Sequence, residues 1–370
     1  MSSILKTNQI SWWRTTFGEE EVSRLAEAVS EEHVSQGPVT KEFEDSFAKA
    51  LDMPYAVATT SGSVALLIAL MACGIGRGDE VIVPNRTWVA TAHAALMLGA
   101  EVTLVDVEPE IPIIDVEQIR SKITGKTKAI MPVHLNGRSA NMVEIRNIAK
   151  EHNLHVVEDS AQSMFSKNQQ GFLGTQSDIG CFSLSPAKLI STGQGGIVVT
   201  KNRNIYDLLK LVANHGVVDN FTDRWIQLGF NFKFTDLQAS FGIVQLRRSE
   251  ERIDRLHEIY SKYSEALQQA NFPFIKLLPV DIGSGALPLY IEVLCSERSE
   301  LMNFLSSEGI QIRPSLPSLD TSDYLNNQET FPNSKIFNDQ AMVLPCGPDQ
   351  PMKNIDKVIE SLYKYASKRS

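Results

Sequence analysis

The sequence predicts an α/β protein, with a large domain built on a mostly parallel sheet and a smaller C-terminal α+β domain. From residue 56 to about 200, apolar runs of strand length alternate with longer segments of helical pattern, as in βαβ units around a buried sheet. A long charged helical stretch follows, and after it comes a smaller set of strand and helix patterns. The chain has 370 residues, of which 43% are hydrophobic and 21% charged, so it can bury a sizeable core.

Short apolar runs predict four strands of the large sheet, at 80–84, 102–106, 129–133 and 155–158. One helix is predicted to begin directly behind the small residues 61–63, which are good caps, and another to span 89–98. Two further strands, 179–184 and 196–200, flank the glycine-rich turn 193–195 and are expected to form a hairpin.

The change of domain is expected after residue 245, which divides the chain into a large domain of residues 1–245 and a small domain of residues 246–370. A nearly unbroken helical pattern at 237–270, either one long helix or a kinked pair, connects the two. The N-terminal segment is a candidate for packing on the small domain. The elements predicted for the small domain are a strand at 287–294, a helix at 297–308, a strand at 310–313, a loop near 314–335 and a helix at 354–366.

Charge and cysteine content narrow the class of protein. The chain has 44 acidic and 35 basic side chains, and its net charge of −9 opposes general binding to nucleic acid. Four widely spaced cysteines, without a C-x-x-C pair, are typical of a reduced cytoplasmic protein. The seven histidines show no metal-binding spacing, and no leader or membrane span is predicted. We therefore expect a soluble cytoplasmic protein without a metal.

Four polar or aromatic groups follow predicted strands and are expected to meet at one edge of the sheet. The turn 60–63 opens a helix and offers backbone amides to a phosphate, although plain helix capping is the simpler explanation. Asp159 is a carboxylate able to keep a ring nitrogen protonated, or else a turn residue. Lys188 is either a desolvated amine nucleophile that forms a Schiff base or a solvated surface charge. Trp88 either stacks on a flat ligand ring or packs in the core.

Six motifs occur in one order along the chain: SGSVAL at 61–66, TWVATA at 87–92, HLNG at 134–137, EDSAQ at 158–162, SLSPAKLISTGQGG at 183–196 and GFNFKFTDLQ at 229–238. Together they resemble the sugar aminotransferases of the DegT/DnrJ/StrS type, which are pyridoxal-phosphate (PLP) enzymes of fold type I. The resemblance extends from about residue 17 to the final helix. Each motif alone has an ordinary structural explanation, but six in family order are much more specific.

The resemblance implies a role for each matching residue. Lys188 matches the lysine that binds the cofactor and then moves a proton as general acid and base. Asp159 matches the carboxylate that pairs with the ring nitrogen, and Gln162 matches the residue beside the 3-hydroxyl. Trp88 matches the aromatic residue that stacks on the ring. The matches that hold the phosphate are Gly62, Ser63, Ser183 and, from the neighbouring subunit of a homodimer, Asn231.

Three departures from the family pattern fall in substrate-facing segments and leave the cofactor residues intact. Gln194 stands where a glutamate is common, Asn136 where a tyrosine is common, and Phe232-Lys233 where a Tyr-Arg pair is common. Lys188 itself favours transamination, because a histidine replaces this lysine in the branch of the family that removes a sugar hydroxyl.

The predicted function is that of a homodimeric cytoplasmic aminotransferase, which moves an amino group from L-glutamate onto a keto sugar. By resemblance the sugar is nucleotide-linked and destined for a surface polysaccharide, lipopolysaccharide or secondary metabolite. Arg313 and His134 are the candidate substrate residues, with Arg313 suited to a carboxylate or phosphate. The alternatives are a free keto sugar acid as acceptor, a different type I PLP enzyme such as a decarboxylase or lyase, and a non-catalytic regulator with the same fold.

Overall fold

The computed structural model of the protein describes residues 9–218, 224–325 and 329–369. Its strands are β1 Tyr55–Thr59, β2 Glu80–Pro84, β3 Glu101–Val105, β4 Thr127–Ile130, β5 His155–Asp159, β6 Lys167–Asn168, β7 Gly171–Phe172, β8 Ile179–Ser183, β9 Gly196–Thr200, β10 Ile275–Leu277, β11 Ile291–Cys295, β12 Arg313–Pro314 and β13 Ala341–Leu344. Its α-helices are α1 Glu19–Ser30, α2 Pro38–Ala50, α3 Gly62–Ala72, α4 Ala90–Met97, α5 Val116–Lys122, α6 Met142–His152, α7 Arg203–Ala213, α8 Asp236–Arg247, α9 Ser249–Ala270, α10 Arg298–Ser307, α11 Pro332–Gln340 and α12 Met352–Ser367.

The largest sheet has seven strands, in the order β1-β9-β8-β5-β4-β2-β3. The neighbours from β8 through β5, β4 and β2 to β3 pair in parallel, whereas β9 pairs antiparallel with both β8 and β1. Among the described strands of this sheet, β9 alone therefore runs in the opposite direction. The predicted fold class, with its mostly parallel sheet, is confirmed, and the other six strands all end at the same edge.

Helices pack on both faces of this sheet, which is why most residues of its strands are apolar and buried. All five residues of β2 are buried. Along β1 the side chains alternate: Val57 belongs to the core formed with α3 and α7, while Ala56 and Ala58 belong to the core formed with α2. Side chains at the caps begin the helices, as where Asn141 and Asn202 accept hydrogen bonds from the first turns of α6 and α7.

A second sheet has four antiparallel strands in the order β10-β11-β13-β12 and packs against α9, α10 and α12. The beginning of the described chain lies along this part of the molecule, because Ile10 pairs with Ile310 and Trp13 pairs with Cys346. The division into domains after residue 245 stays a prediction, and that position lies inside α8.

Several predicted boundaries differ from the structure. The pattern at 237–270 is a pair of helices, α8 and α9, which meet at Arg248. The strand predicted at 287–294 begins only at Ile291, and the strand predicted at 310–313 is reduced to the two residues of β12. The loop predicted near 314–335 contains the start of α11. Elements this short owe their positions to neighbouring strands, and local sequence does not report those neighbours.

No helix in the described ranges is long and apolar enough to cross a membrane. Within the same ranges, no group of three or more His, Cys, Asp and Glu side chains is arranged to hold a metal ion. The four cysteines are unpaired, and all except Cys73 are buried.

Candidate active site

Polar residues from distant segments lie at the edge of the seven-stranded sheet where its parallel strands end. Thr59 is the last residue of β1, Asp159 the last of β5 and Ser183 the last of β8. Gly196 begins the reversed strand β9 and pairs with both Thr59 and Ser183. Trp88 follows the end of β2. Formation of this one sheet therefore brings four of the predicted segments to one place.

The turn between β1 and α3 packs tightly against the end of β8. The Ser61 hydroxyl accepts a hydrogen bond from Val64 N at 3.2 Å, while the amides of Gly62 and Ser63 donate to no residue in the described ranges. A Cβ atom added at Gly62 would lie 2.8 Å from the Cβ atom of Ser183, so glycine is required for this close approach. Free amides at a helix N-terminus, beside a serine hydroxyl, suit the binding of a phosphate.

Asp159 is buried, and both of its carboxylate oxygens accept hydrogen bonds. The Thr91 hydroxyl donates to Oδ2 at 2.7 Å and the Ala161 amide donates to Oδ1 at 3.1 Å. Burial raises the pKa of Asp159, and the two hydrogen bonds and the charge of Lys188 act in the opposite direction. The Thr91 hydroxyl also lies 3.0 Å from the carbonyl oxygen of Trp88. The start of α4 thus holds Trp88 and Asp159 in a fixed relation.

Lys188 lies in the loop that follows β8, and its side chain is partly buried. Burial lowers the pKa of its amine to about 8, and the negative charge of Asp159 opposes part of this shift. An ordinary lysine has a pKa of about 10.4 and is almost fully protonated near neutral pH. The Lys188 amine is therefore a better nucleophile and a better proton carrier than a surface lysine.

Trp88 and Gln162 differ in how the chain holds them. The Trp88 side chain is 59% exposed, so its ring is not part of the core and is open to a flat ligand. Gln162 is partly buried, and its side-chain oxygen Oε1 accepts a hydrogen bond from the amide of Asn136 at 3.0 Å. This bond sets the orientation of the Gln162 carboxamide.

His134, one of the two candidate substrate residues, is buried behind the end of β5. Its side chain is 0% exposed, and its Nδ1 accepts a hydrogen bond from Ala140 N at 3.1 Å. The other nitrogen, Nε2, consequently carries the proton and donates to Glu158 at 2.9 Å. Burial favours the neutral form of Glu158, yet the hydrogen bonds from His134 and Ser177 lower its pKa. His134 thus connects the loop after β4 to β5, and its contacts are those of a structural residue.

Arg313 and Asn231 are exposed, and no described contact joins them to Lys188 within one chain. The guanidinium carbon of Arg313 lies 4.6 Å from the centre of the Trp12 ring. Asn231 forms an isolated backbone bridge with Asn214. Arg313 is thus accessible to an anionic ligand, and Asn231 is accessible to a second subunit.

The contacts that join the two sheets behind the site were not predicted from the sequence. Glu292 of β11 accepts hydrogen bonds from Arg138 at 2.7 Å and from the Ser315 hydroxyl at 2.6 Å. The Asn136 carboxamide binds the backbone of Tyr290, accepting from its amide at 2.5 Å and donating to its carbonyl oxygen at 2.9 Å. The pairs Arg138 with Glu292 and Asn136 with Tyr290 are each 154 positions apart. No spacing in the sequence indicates such a contact, and the departure at Asn136 was the one available signal.

Comparisons with known proteins agree on one family. The profile of the DegT/DnrJ/EryC1/StrS aminotransferase family matches residues 15–363. GDP-perosamine synthase of Escherichia coli O157:H7 is 33% identical, covering 90% of this chain and 92% of that protein. The spore coat polysaccharide biosynthesis protein SpsC of Bacillus subtilis is 30% identical, covering 93% and 94%. The crystal structure of S. venezuelae DesV, 28% identical, superposes with a TM-score of 0.89 over 94% of each chain.

The residues at this edge of the sheet fit PLP. They supply an amine with a lowered pKa, a buried carboxylate, an exposed indole, and a helix N-terminus whose glycine could not be a larger residue. Groups of these kinds suit the ring, the ring nitrogen and the phosphate of this cofactor. The chain belongs to the DegT/DnrJ/EryC1/StrS aminotransferase family, whose PLP-dependent enzymes transfer amino groups to keto sugars.

Proposed function

We propose that this protein transfers the amino group of L-glutamate to the carbonyl carbon of a nucleotide-linked keto sugar. The observation that carries the proposal is the position of Lys188, in the loop after β8, at the sheet edge where Asp159 ends β5 and the turn before α3 packs against Ser183. Two relatives named GDP-perosamine synthase, 33% and 34% identical, support a nucleotide-linked sugar as acceptor. The name of SpsC refers to a polysaccharide of the spore coat, which supports a product used in a surface polysaccharide.

Different residues of the site are proposed to bind different parts of PLP. PLP, when bound, supplies an electron-withdrawing ring that stabilises negative charge on the carbon next to the transferred amino group. Asp159 would keep a proton on the ring nitrogen, because an adjacent carboxylate favours the positive form. Trp88 would stack on the ring, and Gln162 would lie beside the 3-hydroxyl. Gly62, Ser63 and Ser183 would hold the phosphate.

Lys188 moves the proton on which the amino transfer depends. With a pKa of about 8, its amine is present in both protonation states near neutral pH. The Lys188 amine can therefore accept a proton and release it again without a large change in free energy. The charge of Asp159 favours the protonated amine and so helps Lys188 to accept the proton.

Arg313 is proposed to bind a carboxylate of the amino donor. The Arg313 side chain is exposed, and its guanidinium group lies over the Trp12 ring. Because the ring contacts the flat face of the guanidinium group, its edge stays open to a bidentate partner. Stacking on an indole restricts the rotamers of a long side chain before the ligand arrives. Less conformational freedom is then lost when the carboxylate binds.

We also propose a cytoplasmic homodimer, in which Asn231 contacts the phosphate held by the other subunit. Unpaired cysteines support the location. Exposed large apolar side chains precede Asn231 in the sequence, namely Trp225 at 76%, Leu228 at 78% and Phe230 at 66%. Such clusters are uncommon on monomers and typical of subunit interfaces. Light scattering of the purified protein measures its mass, and a single species of about the chain mass, 41.1 kDa, would overturn the dimer.

The first experiment is the visible absorption spectrum of the protein with PLP, recorded before and after L-glutamate, for the wild type, Lys188→Ala and Lys188→Arg. We expect a visible band that requires Lys188, that L-glutamate removes, and whose loss releases 2-oxoglutarate. Lys188→Arg keeps the positive charge but has no amine. If this variant fails to form the band, the band requires the amine itself and not only a positive charge.

The acceptor is then identified by what restores the band. We expect nucleotide-linked keto sugars to do so and free keto sugar acids to fail; the reverse result would identify the alternative acceptor. A Lys188-dependent band that no amino donor removes would overturn transamination.

A further inference from the structure

Two aromatic side chains from outside the seven-stranded sheet bind the loop directly before Lys188. The hydroxyl of Tyr290 donates a hydrogen bond to the carbonyl oxygen of Ala187 at 2.8 Å. The indole Nε1 of Trp13 shares its one proton between the Thr15 hydroxyl, at 2.7 Å, and the carbonyl oxygen of Pro186, at 3.0 Å. The two carbonyl groups that precede Lys188 in the chain therefore both accept hydrogen bonds, one from the N-terminal segment and one from the residue before β11.

Tyr290 is itself held rigidly. The Asn136 carboxamide bonds both its backbone amide, at 2.5 Å, and its backbone carbonyl, at 2.9 Å. The rings of Trp12 and Trp13 lie 6.0 Å and 5.4 Å from the Tyr290 ring, centre to centre. Burial raises the pKa of the Tyr290 phenol far above its usual range, so it remains a hydrogen-bond donor at every working pH. A donor fixed at both its backbone and its ring holds its acceptor in one place.

Asn136 has the conformation that this arrangement needs. Its φ of 54° lies in the left-handed region, where asparagine is among the residues that are tolerated best. In this conformation the backbone amide of Asn136 donates to the side chain of Gln162, and the carboxamide of Asn136 binds the backbone of Tyr290. A continuous set of hydrogen bonds thus joins Gln162 to Asn136, Asn136 to Tyr290, and Tyr290 to the residue before Lys188.

We propose that Tyr290, oriented by Asn136, is a positioning residue that holds the backbone before Lys188 so that the amine keeps its partly buried, reactive position. The inference rests on the proposed role of Lys188 in binding PLP. It also gives a physical reason for asparagine at 136, where the resembled family commonly has tyrosine. Tyrosine has no carboxamide, so at this place it lacks the separate acceptor and donor atoms with which Asn136 binds the backbone of Tyr290.

The test compares Tyr290→Phe with Tyr263→Phe in the full-length protein. Each change removes one hydroxyl that donates to a backbone carbonyl, since Tyr263 donates to Pro345 at 3.0 Å, within the core beside the four-stranded sheet. The measurement is the pH dependence of reductive methylation of Lys188 in the cofactor-free protein, read by mass spectrometry of the peptide. Asp159 is the charged group that acts on the Lys188 amine, and neither variant alters it.

We expect Tyr290→Phe to move the midpoint of the Lys188 profile upward by a pH unit or more. The freed loop admits water, and solvation favours the charged amine. In the PLP-loaded enzyme, kcat should fall about tenfold while KM for L-glutamate changes less than twofold, because Tyr290 acts through Lys188. Tyr263→Phe should leave the profile and both constants unchanged. A Lys188 profile in Tyr290→Phe that equals that of the wild type would overturn the proposal.

A second variant and a labelling control complete the test. Asn136→Ala should produce the same upward shift, because it releases the backbone of Tyr290; thermal unfolding of each variant confirms that the chain is folded at the temperature used. Reduction of the wild-type protein with borohydride in the presence of PLP should label Lys188. If Lys188 is labelled but its profile ignores both variants, the positioning role alone is wrong. If it is not labelled, the proposed function is wrong, and this inference with it.

Discussion

Among the residues that the structure describes, Asp159 is the charged group that acts on Lys188, from the end of the neighbouring strand. Asparagine in its place keeps a hydrogen-bonding side chain but removes the attraction for the proton on Lys188. We therefore expect Asp159→Asn to lower the pKa of Lys188 below about 8 and to lower kcat by about 10²-fold, a typical loss for one preorganised electrostatic contact. The Lys188 methylation profile measures the first effect, and steady-state kinetics measure the second.

The matched control for this change is Asp254→Asn, at an exposed position of α9. It removes the same charge from the protein as a whole and should leave both quantities unchanged. If Asp159→Asn raises the pKa of Lys188 or leaves it unaltered, the electrostatic account of the amine is incorrect.

Gly62 provides a steric prediction. The Cβ atom of Gly62→Ala would lie 2.8 Å from that of Ser183, which is attached directly to backbone and cannot rotate away. The turn and the end of β8 must separate, so we expect PLP to bind about tenfold more weakly while the cofactor-free chain stays folded. At Gly76 a Cβ atom meets nothing within 4 Å, which makes Gly76→Ala the control. Titration with PLP gives both dissociation constants, and equal values would show that the turn tolerates the methyl group.

At the scale of elements, the N-terminus of helix α2 is capped by a residue that is distant in the sequence. Asp236, the buried first residue of α8, accepts hydrogen bonds from the amides of Gly37 at 2.8 Å, Val39 at 3.2 Å and Thr40 at 2.8 Å. It also accepts one from the Thr40 hydroxyl at 2.6 Å. A carboxylate at this point supplies the cap that α2 lacks in its own sequence, where the N-cap is Gly37.

Asp236→Ala should lower the free energy of unfolding by about 3 kcal/mol, because several buried donors lose their acceptor at once. Asn202→Ala removes the side-chain cap of α7, which is exposed, and should cost about 1 kcal/mol. Urea denaturation of the two variants measures the difference. Similar losses for both would mean that water or a neighbouring group replaces Asp236.

Elements with a strong local signal were predictable, and those without one were not. Strand β2 has the predicted bounds because EVIVP is apolar almost throughout and proline ends it. Strand β12 has only two residues, and its pairing with β13 creates it. Asp236 caps α2 by binding Gly37, and these two residues are 199 positions apart in the sequence. A contact over this distance leaves no local pattern.

For the whole molecule, Glu44 makes stability depend on pH. Its side chain is 9% exposed, between α2 and β1, and burial raises its pKa to about 7 although the Ala58 amide donates to it at 2.8 Å. The folded protein thus binds this proton more tightly than the unfolded chain, whose Glu44 has a pKa near 4.5. The contribution of Glu44 to stability is complete below about pH 4.5 and is lost as the pH rises through about 7.

We expect the free energy of unfolding of the wild type, relative to Glu44→Gln, to fall by roughly 2 to 3 kcal/mol between pH 5 and pH 8. Glutamine keeps an acceptor for Ala58 and does not ionise, so it removes the pH dependence and preserves the contact. Denaturation of both proteins at several pH values measures this quantity. If the free energy of unfolding of the wild type, relative to Glu44→Gln, rises with pH, the proposed direction of the Glu44 effect is wrong.

The sequence by itself determined the fold class, the family and the cofactor, and it predicted the segments of the candidate site. Each of these depends on local periodicity or on a short motif, such as the strand before Asp159 or the turn before α3, and local patterns are readable along one chain. Only the tertiary structure decided which of the candidate side chains a ligand reaches. It buried His134 against Glu158, exposed Trp88, and joined Tyr290 to Asn136 and to the loop of Lys188. Burial and contacts between distant positions arise when the two sheets pack together, and no single segment of the sequence carries that information.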